Sequence, residues 1–387
     1  MTTVAVSYAN SSTSNGHTEP SQSIGLVPIA AQRPNTTTLP PVLLPANGPL
    51  PTPQPDRSVL PPRDKRYSRL DLELLHFFAT QTYMTMTSKL TVHAVWRDVV
   101  FDHALRYDFL LQALMATAAL HKATGFVENS QPHIEYTKAA FMYQDLALQG
   151  YIPELNKPNE SNAVALFILS TLLTVWLFAT KKLPDSLTEL DSTMRVDPSA
   201  ARINAGTSQE HTDIVEILTR VQGINAVFKQ TIHWLYQSAA KPMLSAPTDA
   251  DLPRTIPENI ERSFMLLRQR LDAACQSLDQ STQERYKMYL ERFEHLRMVS
   301  RSRTVLEWDQ FIFSWPVTIE PAYIELIRQQ DSVAIALFIH WAACFKMLEH
   351  MWWARGWSYR LVRDACALLD NTWTDVVAWP RKEVGLD

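Results

Sequence analysis

Two residue pairs in this sequence stand at spacings that metal or nucleophilic chemistry uses. Glu73 and His76 are three apart, which puts both on one face of a helix. His340 and Cys344 are four apart, the one place where a thiol and an imidazole share a helical face. Each pair needs more: a metal needs further ligands, and a nucleophile's base needs a third group to orient it. No second matching pair and no H-E-x-x-H occurs. His103, His121 and His350 stand alone in helical patterns, with no Ser or Cys partner legible in the sequence. Asp249 and Asp251 are the nearest approach to the Asp-rich magnesium motif of all-α terpene enzymes, and they fall in a proline-rich stretch. There is no G-x-S-x-G elbow, and nine glycines are too few for a phosphate loop or dinucleotide fingerprint. No catalytic residue, metal ligand or cofactor is expected from these residues.

Cys275, Cys344 and Cys366 lie far apart with no C-x-x-C spacing, which excludes a zinc site built on this chain's cysteines. They read as reduced, mostly buried thiols of an intracellular protein.

The conspicuous side chains are aromatic. "MWWARGW", residues 351–357, places three tryptophans around Gly356. Successive residues on a helix are about 100° apart, so Trp352 and Trp353 cannot face the same way. Gly356 predicts a helix break. The stretch therefore reads as a helical corner, with one tryptophan continuing the line Leu337, Trp341, Phe345 and Leu348 into the bundle and Arg355 at its edge.

The elements that must position these residues are helices. The chain has 387 residues, 46% hydrophobic and 20% charged, with nine glycines against 24 prolines and a formal net charge of −4. That composition is globular and poor in hairpin signals, and its charge does not attract nucleic acid. Residues 1–66 hold 12 of the prolines and are expected to be a disordered, partly polyproline-II tail. Residues 67–387 are expected to form one all-α domain. Ser68 is placed to cap a helix carrying Leu70, Leu74, Phe77 and Phe78, and further helices are predicted over 107–125 and 133–150, stopping at Gly125 and Gly150. "WRDVVFDHA" reads as helix as readily as strand. Residues 163–179 are apolar throughout but shorter than the ~20 residues that span a bilayer, so a buried core helix is expected, with no membrane span. Residues 183–212 read as an irregular surface loop and 241–257 as a proline-rich connection.

The order of segments carries a resemblance. "LDLELLHFFATQTYMTM", "WRDVVFDHALRYDFLLQALMATAALHKA", "NAVALFILSTLLTVWLFA", "RVQGINAVF" and "FIFSWPVTIEPAYIELIRQQDSVAIALFIHWAACFKMLEHMWWARGW" resemble, in that order, the fungal-specific transcription factor domain. The likeness is to regulators similar to sterol uptake control protein and extends over residues 68–387. Tyr107 and Gln112 stand where many relatives carry His. The resemblance implies an all-α effector domain following a zinc binuclear cluster and a linker. In sterol-sensing members that domain holds sterol in an apolar pocket. The cluster takes six cysteines close together, and residues 1–66 contain none. Direct DNA binding by this chain alone is therefore not expected.

Three functions remain open. One is a regulator of fungal sterol or secondary metabolism, in nucleus or cytoplasm, acting through an apolar ligand and through dimerisation with itself or a full-length regulator. Another is a cyclase or isomerase recruited from the same scaffold, with Asp102, Glu73 or a histidine as acid or base. The third is a ligand-free interaction module. The residues expected to line an apolar pocket are Phe167, Leu173, Trp176, Phe338, Trp341, Phe345 and Trp352.

Overall fold

The computed structural model describes residues 67–180, 209–275 and 279–386. The tail expected over 1–66 and most of the loop expected over 183–212 lie outside the described residues. Among the described residues every regular element is a helix or helical turn.

The first helix, Arg69–Thr80, begins as its sequence predicts. Asp71 N–H donates to Ser68 Oγ at 3.1 Å and Ser68 N–H donates to Asp71 Oδ2 at 2.8 Å, a reciprocal capping box. Leu90–Ala94 and Val100–Arg106 are joined by a π turn, Val95–Val99, so the "WRDVV" stretch is helical but irregular. Asp108–Ala123 and Gln131–Leu155 then form an antiparallel pair. The second of these runs five residues beyond the stop expected at Gly150. A side chain at Gly150 would put its Cβ 2.8 Å from Phe109 Cβ. This glycine lets two helices approach closely instead of ending one.

Two helices are buried on all sides. Ala163–Thr180 lies between Asp108–Ala123 and the long helix Gln209–Gln237. It is the one described helix long and apolar enough by itself to cross a membrane, yet 78% of it is packed inside the domain. Its hydroxyls bond within the helix: Ser170 and Thr171 donate to Phe167 O and Thr180 to Trp176 O. Ser332–Cys344 is the second core helix. It packs on Glu258–Ala274, Gln280–Ser302, Trp357–Cys366 and Ala378–Val384. Asp331 caps it, accepting Ala334 N–H at 2.9 Å, after a 107° bend from Pro321–Arg328. Burying each large apolar side chain of this kind contributes about 1.5–3 kcal/mol, which is what lets two continuous apolar helices set the centre of the fold.

The corner at residues 351–357 differs from expectation in one respect. The break at Gly356 is present, with φ of 81°. Two tryptophans, Trp353 and Trp357, are buried rather than one, while Trp352 is half-buried and Arg355 exposed. Trp357 Nε1–H donates to Phe178 O at 2.7 Å, tying the corner to the central helix. Glu349 completes the turn by accepting Gly356 N–H and the Ser358 hydroxyl.

Candidate functional site: an apolar cavity beneath a latched strap

Between Ala163–Thr180, Gln209–Gln237 and the turn Leu306–Phe313 lies a cavity of about 260 Å³. Phe167, Thr171, Thr174 and Val175 form its floor on the central helix, and Ile224 and Phe228 a side wall. Phe167 and Phe228 lie 5.9 Å apart and tilted. Phe311, Phe313, Leu348 and Trp353 close the far end, with Phe313 and Trp353 6.0 Å apart. Residues 242–246 form the remaining rim.

Residues 82–89 border this space as a strap, with Met86, Thr87 and Lys89 in its lining. The strap is held by polar bonds to the C-terminal half of the chain. Trp352 Nε1–H donates to Thr85 Oγ1 at 3.0 Å and Trp353 Nε1–H to Thr85 O at 3.2 Å. Gln310 Nε2 donates to Met86 O at 2.7 Å. Asp309 accepts Ser88 N–H at 2.6 Å and the Thr87 hydroxyl at 3.2 Å. Lys89 Nζ stands 3.7 Å above the Trp308 ring. Asp309 is fully buried, and burial raises its carboxyl above the ordinary value against the opposing hydrogen bonds from Ser88 and Thr87. The walls are thus mainly hydrocarbon, with Thr171 and Thr174 on the floor and further polar groups at the strap and its latch.

Of the residues expected to line a pocket, Phe167 reaches the cavity. Leu173 and Trp176 sit on the same helix but face elsewhere. Trp176 meets Phe141 edge-on at 5.3 Å, against the helix Gln131–Leu155. Phe338, Trp341 and Phe345 form the packed layer behind the cavity. Trp341 stacks on Trp315 at 5.9 Å and donates to Ile312 O, and Phe345 packs on Phe178 at 5.0 Å. Trp352 lies flat on His121, its ring 4.7 Å away, and its neighbour Trp353 takes the cavity position. Sequence reasoning missed the strap and residues 242–246. Both are short irregular segments whose signal is a turn composition with no face to read.

The pairs at catalytic spacing serve structure. Glu73 bonds Lys122 and accepts the Tyr136 hydroxyl at 2.5 Å; the Lys122 bond holds its carboxyl below the usual range. Cys344 is buried and its thiol pushed up to about 12, so no thiolate is available. His340, also buried, donates Nδ1–H to Ala336 O, while Nε2 meets the Ser263 hydroxyl at 2.8 Å. That Ser–His contact joins residues 77 positions apart and lies outside the cavity lining. Asp102 pairs on the surface with Arg106. Among the described residues no cluster of three or more His, Cys, Asp or Glu could hold a metal.

Comparison with known proteins follows the helices just described. Residues 73–181 match the fungal specific transcription factor domain. The matched stretch includes the strap and the central helix, hence the floor of the cavity. Over 339 residues the chain is 22% identical to a protein of Gibberella zeae (strain PH-1) described as a Zn(2)-C6 fungal-type transcription factor. That alignment covers 82% of this chain and 62% of the relative, so the chain spans less than two thirds of its length. Together the two likenesses support a role of the transcription-regulator type.

Proposed function

We propose that this chain is the effector portion of a fungal transcription regulator, and that an apolar small molecule of sterol or secondary metabolism occupies the cavity and sets the state of the strap. The observation that carries the reading is the cavity itself: an aromatic and aliphatic space between packed helices, partly open to solvent and bordered by a segment fixed through side-chain bonds. Ligand sites favour such places between helices. The volume of about 260 Å³ falls just below the ~300–1,000 Å³ of typical ligand pockets, which favours a compact terpenoid- or polyketide-sized molecule over a whole sterol. Output would pass through protein contacts, as a homodimer or with a full-length regulator, in keeping with nuclear action for this kind of domain.

The test is extraction of the purified chain with organic solvent and mass spectrometry of the extract. One apolar molecule per chain supports the reading. A folded chain that carries none, and takes up none from a fungal lipid extract, rejects it in favour of a ligand-free interaction module.

A further inference from the structure

One hydroxyl on the cavity floor has nothing to bond. Thr174 lines the cavity and is 7% exposed. A buried helical threonine commonly turns its hydroxyl back to the carbonyl four residues earlier. Thr117, Thr171, Thr180 and Thr231 all do so. Thr174 shares a helix with two of them, yet its Oγ1 makes neither that bond nor any other. Nor is the oxygen sealed. The side-chain atoms among the described residues that lack both a partner and accessible surface include Thr137 Oγ1, which lies outside the cavity lining, but not Thr174 Oγ1. Folded proteins retain few buried polar groups without a partner, and a retained one calls for an explanation at its own site.

Thr171 stands three residues earlier on the same floor. Its hydroxyl donates to Phe167 O at 3.0 Å, so its hydrogen is committed and towards the cavity it can only accept. Thr174 keeps its hydrogen and can donate. The floor therefore offers a donor beside an acceptor. Residues three apart on a helix have Cβ atoms about 5–6 Å apart, and one oxygen about 2.8 Å from each hydroxyl spans that gap. Further acceptor oxygens line the cavity at the latch, on Thr87, Asp309 and Gln310. A hydroxyl hydrogen brought in by a ligand is thus provided for.

We infer that the cavity's ligand is an alcohol, a compact apolar skeleton with one hydroxyl that accepts from Thr174 Oγ1–H and donates to Thr171 Oγ1. This rests on the reading that the cavity binds an apolar molecule, and it names the class. A ketone satisfies Thr174 but brings no hydrogen for Thr171. A hydrocarbon covers Thr174 and leaves its donor unmatched. Thr174 is then a specificity-determining residue: it adds nothing for a hydrocarbon and selects the hydroxylated analogue.

Three probes of one carbon skeleton separate these effects: phenylcyclohexane, 4-phenylcyclohexanone and trans-4-phenylcyclohexanol. The full chain is titrated with each by calorimetry. One net hydrogen bond is worth about three- to tenfold in affinity. The alcohol is therefore expected to bind about tenfold or more tightly than the hydrocarbon, and about threefold or more tightly than the ketone. Thr174→Val keeps the side chain's shape and removes its hydroxyl. It should cost the alcohol about threefold or more while hydrocarbon affinity persists, and Thr174→Ser should keep the preference. Equal affinities for alcohol and hydrocarbon in the unsubstituted chain, or a preference that Thr174→Val leaves whole, overturn the inference and leave the cavity reading intact. A ketone bound as tightly as the alcohol overturns the inference as well. A folded chain that binds none of the three overturns both. The affinity ratios of the unsubstituted chain decide the matter even if neither variant folds.

Discussion

Asp309 accepts the backbone N–H of Ser88 at 2.6 Å, across 221 residues of sequence. This bond and its neighbour to Thr87 hold the strap on the cavity. Removing the acceptor leaves a buried N–H and hydroxyl unmatched, at about 1–3 kcal/mol. Asp309→Ala is expected to lose that much stability in urea unfolding and to speed hydrogen exchange at the Ser88 amide. Asp309→Asn keeps an acceptor oxygen and should retain most of the protection. Unchanged exchange at Ser88 in the alanine variant would show that the strap is held by its other contacts, at Thr85, Met86, Ser88 Oγ and Lys89.

At Gly150 two effects oppose each other. Alanine in a helix interior gains about 1 kcal/mol over glycine. Here its Cβ would come within 2.8 Å of Phe109 Cβ, and forcing helices apart costs about 1–3 kcal/mol. The clash is with a rigid part of the neighbour, so Gly150→Ala is expected to lower the thermal midpoint. A rise would mean that the Phe109 helix yields freely.

One buried imidazole, His340, and two partly buried ones, His121 and His295, make stability depend on pH. Burial lowers His121 and His340 to about 4 and His295 to about 3. Each is held neutral in the fold and binds a proton more readily unfolded. Their stabilising share is complete above the ordinary value of about 6.5 and is lost as pH falls through the folded values. The urea midpoint should therefore be flat between pH 7 and 8 and decline steadily from 6.5 towards 4. His340→Gln should flatten part of that decline. A midpoint that rises on acidification would contradict the assignment of these groups as neutral.

What the sequence revealed and what it concealed follow from how far each signal reaches. The cap at Ser68, the buried helix Ala163–Thr180 and the break at Gly356 depend on neighbours within one turn, and residue type alone announces them. The passage of Gln131–Leu155 through Gly150 depends on Phe109, 41 residues earlier, so glycine's local meaning as a stop misled. The choice of Trp353 over Trp352 for the cavity was equally closed to view. Both are tryptophan, and which one faces Phe313 depends on the turns at 345–356, where helical phase is lost. The latch at Asp309 joins distant segments, and no periodicity marks it. Phe167 was legible because it lies on a regular helix; residues 242–246 were not, because a proline-rich turn presents no face.

The central claim is that the space between Phe167, Phe228 and Trp353 is a binding site. Thr174 lies on its floor, is buried, and can be enlarged without breaking the helix, since leucine favours helix more than threonine does. The decisive measurement is calorimetric titration of phenylcyclohexane into the full chain and into Thr174→Leu, with thermal midpoints recorded for both. Saturable one-to-one binding to the unsubstituted chain, weakened about tenfold or more in Thr174→Leu at an unchanged or higher midpoint, is the predicted result. No saturable binding to the unsubstituted chain, or equal binding to both, would contradict it.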